Sequence, residues 1–158
     1  MDKNTHRKLD LRDIILGGQD GLVNVLGIVL GVAAASGNSR IVLVAGLAAT
    51  FAESFSMAAV AYTSSVVKFH KISDALIVGV SAILGSLIPL VPFFIFPVSL
   101  AMRVAVSVSA GFLFVLGIYK AKITGSSVWR SGLEITIIGL TAAAIGYAVG
   151  LIFKIPAV

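Results

Sequence analysis

Five apolar runs, each long enough to cross a bilayer, succeed one another between Ile14 and Phe153 with only short polar breaks between them. A helix needs about 20 apolar residues to cross the hydrocarbon core, where only helices and closed barrels can satisfy every backbone polar group. The runs fall at about 14–35, 41–63, 75–96, 99–119 and 131–153, which predicts an all-α membrane protein with five transmembrane helices. Charge content agrees: 12% of residues are charged, against roughly 25% in soluble domains. Residues 1–13 are left as an N-terminal segment, 14–153 as the membrane domain and 154–158 as a tail, and no separate soluble domain fits beside them.

The net charge of +5 does not argue for a nucleic-acid partner, because the basic residues sit between the apolar runs rather than on one face. Lys3, Arg7, Lys8, Arg12, Lys68, Lys71, Lys120, Lys122 and Arg130 fall on one side of the membrane, and Arg40, Arg103 and Lys154 on the other. The positive-inside rule then places the N-terminus in the cytoplasm and the C-terminus outside. Arg103, a few residues into its span, can snorkel to the outer surface. The polar N-terminus lacks the apolar core of a secretory signal peptide, and Asn4 to Asp13 reads as a weakly amphipathic interfacial helix. Without cysteine, disulfides and thiolate metal sites are excluded.

The break at Ser36-Gly37-Asn38-Ser39 is short enough to make the first two spans an antiparallel hairpin. The 64–74 linker is too short for a folded domain. In the third span, Pro89 and Pro92 each remove a backbone donor, favouring a kink or an unwound outer end that would serve as an outer gate. Pro97 turns the chain into the fourth span, and Trp129 is placed as an interfacial anchor. Gly27-xxx-Gly31 and Gly146-xxx-Gly150 permit close helix approach. There is no internal repeat, and five spans do not divide into equal halves, so any functional two-fold has to come from a homodimer.

Two carboxylates lie deep in this apolar sequence. Asp20 follows Gly17-Gly18-Gln19 in the first span, and Glu53 stands in Ala52-Glu53-Ser54-Phe55-Ser56-Met57 in the second. An ionised carboxylate at membrane depth costs roughly 2.5–3.5 kcal/mol on the insertion scale and commonly marks an ion or proton pathway. At 1.5 Å per residue, Asp20 lies about 9 Å beyond the inner start of the first span at Ile14, and Met57 about 9 Å from the inner end of the second at Thr63, so the two are at similar depth. Asn24 stands one turn from Asp20, and Glu53 one turn from Met57. Facing helices would therefore present Asp20, Asn24, Glu53 and Met57 together.

Carboxylates suit hard cations and a thioether adds affinity for softer ones, so the set fits iron(II), with manganese, cobalt or zinc as alternatives. Desolvation penalises bare charge, so metal ions and protons compete for such a site, which is the physical basis of exchange. Each residue also has a plainer reading. Asp20 can be a helix N-cap after Gly17-Gly18, Met57 a gap-filling packing residue, and Asn24, Gln19 and Ser56 interhelical hydrogen bonders. Asp13 and Glu134 read as solvated charges near the inner boundary, with a role in gathering cations as the sharper alternative. His6 and His70 are isolated and are not read as ligands.

Arg12-Asp13-Ile14-Ile15-Leu16-Gly17-Gly18-Gln19-Asp20-Gly21-Leu22 resembles the first-helix signature of the vacuolar iron transporter family, which includes the nodulin-21-like proteins. Ala52-Glu53-Ser54-Phe55-Ser56-Met57-Ala58, followed by Tyr62, is similar to its second. The likeness continues through Leu87-Ile88-Pro89, Lys120-Ala121-Lys122 and Trp129-Arg130-Ser131-Gly132-Leu133-Glu134. It implies a five-span homodimer with a pathway between protomers, exporting iron(II) or manganese(II) from the cytosol in exchange for protons. Asp20, Glu53 and Met57 are then the metal residues, with Asp13, Asn24, Tyr62 and Glu134 along the pathway or behind it. Plant members insert a Glu-rich metal-binding domain between spans two and three, whereas the 64–74 linker offers only His70 and Asp74.

The expectation is therefore a divalent-metal/proton antiporter with no tightly bound cofactor, the metal being substrate. It sits in a prokaryotic cell membrane, or a vacuolar-type membrane if eukaryotic. A passive cation channel and a non-transporting scaffold are the alternatives. An intramembrane aspartyl protease needs two deep Asp residues, but only Asp20 lies deep and Gly17-Gly18-Gln19-Asp20 is not a GxGD motif.

Overall fold

The computed structural model describes residues 3–64 and 71–154. They form five α-helices: α1 (Lys3–Ser36), α2 (Ser39–Ser64), α3 (Lys71–Ile95), α4 (Val98–Thr124) and α5 (Val128–Ile152). Each contains a stretch long and apolar enough to cross a membrane, namely Leu11–Ser36, Ser39–Ser64, Ile72–Ile95, Val98–Thr124 and Val128–Ile152. The linker centre with His70, and the tail from 155 onward, lie outside the described residues.

Two helices outrun their apolar sequence. α1 is continuous for 34 residues, about 51 Å at 1.5 Å per residue, against a hydrocarbon core of about 30 Å. The expected interfacial segment is thus the first turns of the same helix as the first span. α4 continues through Lys120 and Lys122 and stops where Gly125 takes a left-handed φ of 70° and donates its N–H to the Ala121 carbonyl. Lys122 in that last turn faces the negative end of the helix dipole.

The α1–α2 connection is two residues. Gly37 adopts φ +60°, as a helix-terminating glycine does, and the Asn38 side-chain oxygen accepts from the Arg40 and Ile41 N–H groups at 2.9 and 3.4 Å. Asparagine at that position satisfies donors the helix start leaves unpaired. α3 stays helical past both prolines to Ile95, and Phe96 N–H still donates to the Pro92 carbonyl at 2.9 Å. An unwound end is not formed.

Within lipid, helices associate by close packing and small residues rather than by transfer of apolar area from water. α3 is the most enclosed span and packs on α1, α2 and α4, while α5 packs on α1 and α4. Val25, Leu26 and Val29 of α1 meet Val42, Leu90, Phe93, Ala101, Ala105 and Ala143 in one core, and Leu22, Leu113 and Ile135 form a second. The two Gly-xxx-Gly motifs turn out to be each other's partners. A Cβ at Gly146 would run into the Gly27 carbonyl, and one at Gly150 into that of Gly31. Most other large side chains on the perimeter are apolar and exposed, as a lipid-facing surface requires.

Candidate functional site

α1 passes through Gly17-Gly18 as unbroken helix, so Asp20 is mid-helix and the N-cap reading falls. What the glycines do is bring α1 onto α3. A Cβ at Gly17 would meet Ser81 Oγ and the Val78 carbonyl, one at Gly21 the Ala82 carbonyl, and one at Gly85 the Gly18 carbonyl. The helix is thereby held against α3 on both sides of Asp20. Sequence reasoning missed this role of α3. The signal was the small-residue spacing Gly17-xxx-Gly21 opposite Ser81, Ala82 and Gly85, which carries no charge to draw attention.

On α2, Val42, Gly46, Thr50 and Ser54 form the buried stripe. Thr50 and Ser54 donate their hydroxyls to the Gly46 and Thr50 carbonyls at 2.8 and 2.6 Å, so the stripe is polar but satisfied. Burying Ser54 leaves its neighbour Glu53 on the flank of the stripe, half-buried, with Met57 one turn along on the same flank.

The two helices meet there. Asn24 Nδ2 donates to Glu53 Oε1 at 2.6 Å, and the half-buried Asp20 lies within hydrogen-bonding and electrostatic reach of the same Glu53 carboxyl. Asn24 and Glu53 each stand close to the midpoint of their spans. Two carboxylates so close repel, and a proton or a cation between them relieves the repulsion. The same pair can therefore hold either.

Asn24 is exposed, so the constellation opens on the outside of the single chain at mid-membrane depth. Among the described residues no group of three or more His, Cys, Asp or Glu comes together. A single chain thus offers two carboxylates, an amide and the nearby thioether. Tyr62 is exposed on α2, roughly 13 Å along the helix axis from Glu53. Glu134 is exposed in the second turn of α5 and Asp13 half-buried near the start of the α1 span.

The Asn24 amide, donating to Glu53 Oε1, fixes which way that carboxylate points. If the acid pair holds a metal, Asn24 stands behind a ligand, and replacing it with Leu is expected to weaken apparent metal affinity by roughly tenfold, with helical content unchanged because the side chain is exposed. Metal-concentration dependence of flux in reconstituted vesicles checks this.

Residues 11–68 and 67–151 match the VIT family. The uncharacterized protein MJ0645 of Methanocaldococcus jannaschii is 29% identical over 163 residues, covering 85% of this chain and 84% of its own. Vacuolar iron transporter 1 of Tulipa gesneriana is 33% identical over 78 residues, covering 49% of this chain and 32% of its own.

Proposed function

The chain belongs to the VIT family, and on that premise we propose that this multi-pass membrane protein is a divalent-metal/proton antiporter carrying iron(II) or manganese(II) out of the cytosol. The observation that carries the reading is the Asp20–Asn24–Glu53 constellation at mid-membrane depth. Asp20 and Glu53 bind the metal as a pair and take up protons when it leaves. Asn24 orients Glu53, and Met57 favours iron(II) over the harder magnesium and calcium ions.

Because the constellation lies on the open side of one chain and supplies only two carboxylates, it is completed by a second copy. A two-fold dimer sets the same face against itself, doubling the carboxylates and closing them off from lipid. With the N-terminus in the cytoplasm, Asp13 and Glu134 lie toward the cytoplasmic mouth, where negative charge concentrates cations. Metal and protons occupying one site in turn, with alternating access, gives exchange rather than leakage.

The test is reconstitution into liposomes, following iron(II) and manganese(II) movement with and without an opposing pH gradient. The wild type is expected to move metal several-fold faster with the gradient. Fast flux indifferent to pH would instead describe a channel, and no flux of either ion a scaffold.

A further inference from the structure

A cavity of about 310 Å³ lies between α1 and α4 at the end of the bundle holding the α1 N-terminus. It is apart from the acid pair. Arg12, Lys120 and the Gln19 amide all line it, with Ile15, Leu16 and Ile123 as its apolar wall. Arg12 is the second residue of its span and Lys120 lies one turn from the end of α4, so the cations sit at the membrane boundary while the apolar wall continues into the bilayer. Leu16 is 53% exposed.

Neither Arg12 nor Lys120 forms an ion pair, and Gln19 forms no side-chain hydrogen bond, with another described residue. Lys122, two residues on from Lys120, is turned elsewhere: its ammonium lies over the Tyr119 ring, 5.8 Å from the centroid. Two cations converging on one small cavity with a donor amide and an apolar flank have the chemistry of a phosphodiester held at the head of acyl chains. Basic pockets between membrane helices take anionic headgroups for this reason.

We propose that this cavity binds an anionic phospholipid. The headgroup phosphate sits between Arg12 and Lys120 and accepts from Gln19, and the chains run past Leu16 into the bilayer. The guanidinium makes two parallel hydrogen bonds to a phosphate and Lys120 supplies a point charge. Arg12, Ile15, Leu16 and Gln19 lie on one face of α1, with Leu16 one turn before Asp20, so the bound lipid braces the turn that positions the first acid.

The experiment is native mass spectrometry of the full chain in detergent with equimolar phosphatidylglycerol and phosphatidylcholine, which reads binding without reference to transport. The wild type should retain phosphatidylglycerol with roughly thirtyfold preference, each basic side chain contributing about fivefold. Arg12→Gln and Lys120→Gln should each lower that preference by about fivefold, Arg12→Lys should keep most of it, and Lys122→Gln should leave it unchanged. Equal retention of the two lipids, an equal loss in Lys122→Gln, or displacement of the lipid by millimolar inorganic phosphate would overturn the proposal. Matching circular dichroism spectra across the variants secure that each is folded.

Discussion

Glu53→Gln is expected to abolish metal flux in proteoliposomes, by at least about 100-fold, since even residues behind a metal ligand cost 10–100-fold when lost. The substitution is isosteric, and its amide oxygen can still accept from Asn24 Nδ2 as Glu53 Oε1 does at 2.6 Å. What disappears is charge. A neutral amide neither neutralises a divalent cation nor takes up and releases a proton, and Asp20 is left as the lone carboxylate in a desolvated setting. Glu53→Asp keeps the charge but withdraws it by one methylene, and should retain partial flux. If Glu53 were only a packing residue, Glu53→Gln would transport as the wild type does, because it preserves both shape and hydrogen bond.

The second large effect concerns the fold. Gly146→Leu is expected to destabilise the protein by at least about 3 kcal/mol, the upper end of ordinary overpacking, seen as a lower thermal midpoint in detergent and a loss of folded yield. The first atom of any side chain at Gly146 meets the Gly27 carbonyl, and a Cβ at Gly31 would likewise meet the carbonyl of Gly146. Backbone cannot yield as the far end of a flexible side chain can, so α5 must move off α1. Gly111→Leu in α4 is the matched control. It also puts a large side chain at a helical glycine, but a Cβ there meets nothing within 4 Å, and the change should be neutral or mildly stabilising because glycine is a poor helix former.

These two cases show where the sequence was transparent and where it was not. Five spans were legible because apolar run length is set by bilayer thickness. Their ends were less so: Lys120 and Lys122 end the apolar run, but the helix goes on to Thr124 because lysine is a good helix former and the stop is Gly125. The meeting of Asp20, Asn24 and Glu53 was legible from one-turn spacing and matched depth across a hairpin joined by Gly37 and Asn38. The close packing of α3 on α1 beside Asp20 was not, because α3 contributes Ser81, Ala82 and Gly85 at the contact, residues that announce themselves only by being small. Pairing Gly27/Gly31 with Gly146/Gly150 needed coordinates for the same reason: each motif was visible, its partner was not. Pro89 and Pro92 invited a break, yet packing keeps α3 helical to Ile95. Tyr62 entered through family likeness alone and Glu134 through its place near the inner boundary, and both are exposed, away from the midpoint of the spans where Asn24 and Glu53 meet.

The central claim is that one pair of carboxylates carries metal one way and protons the other. It is tested most directly by loading proteoliposomes with a pH-sensitive dye and imposing a manganese(II) gradient with no initial pH difference, while metal movement is followed in the same sample. Manganese entering through Asp20 and Glu53 should drive protons out, so the interior becomes alkaline in step with uptake, and both signals should vanish in Asp20→Asn. Metal uptake with no change in internal pH, or undiminished uptake in Asp20→Asn, would contradict the account.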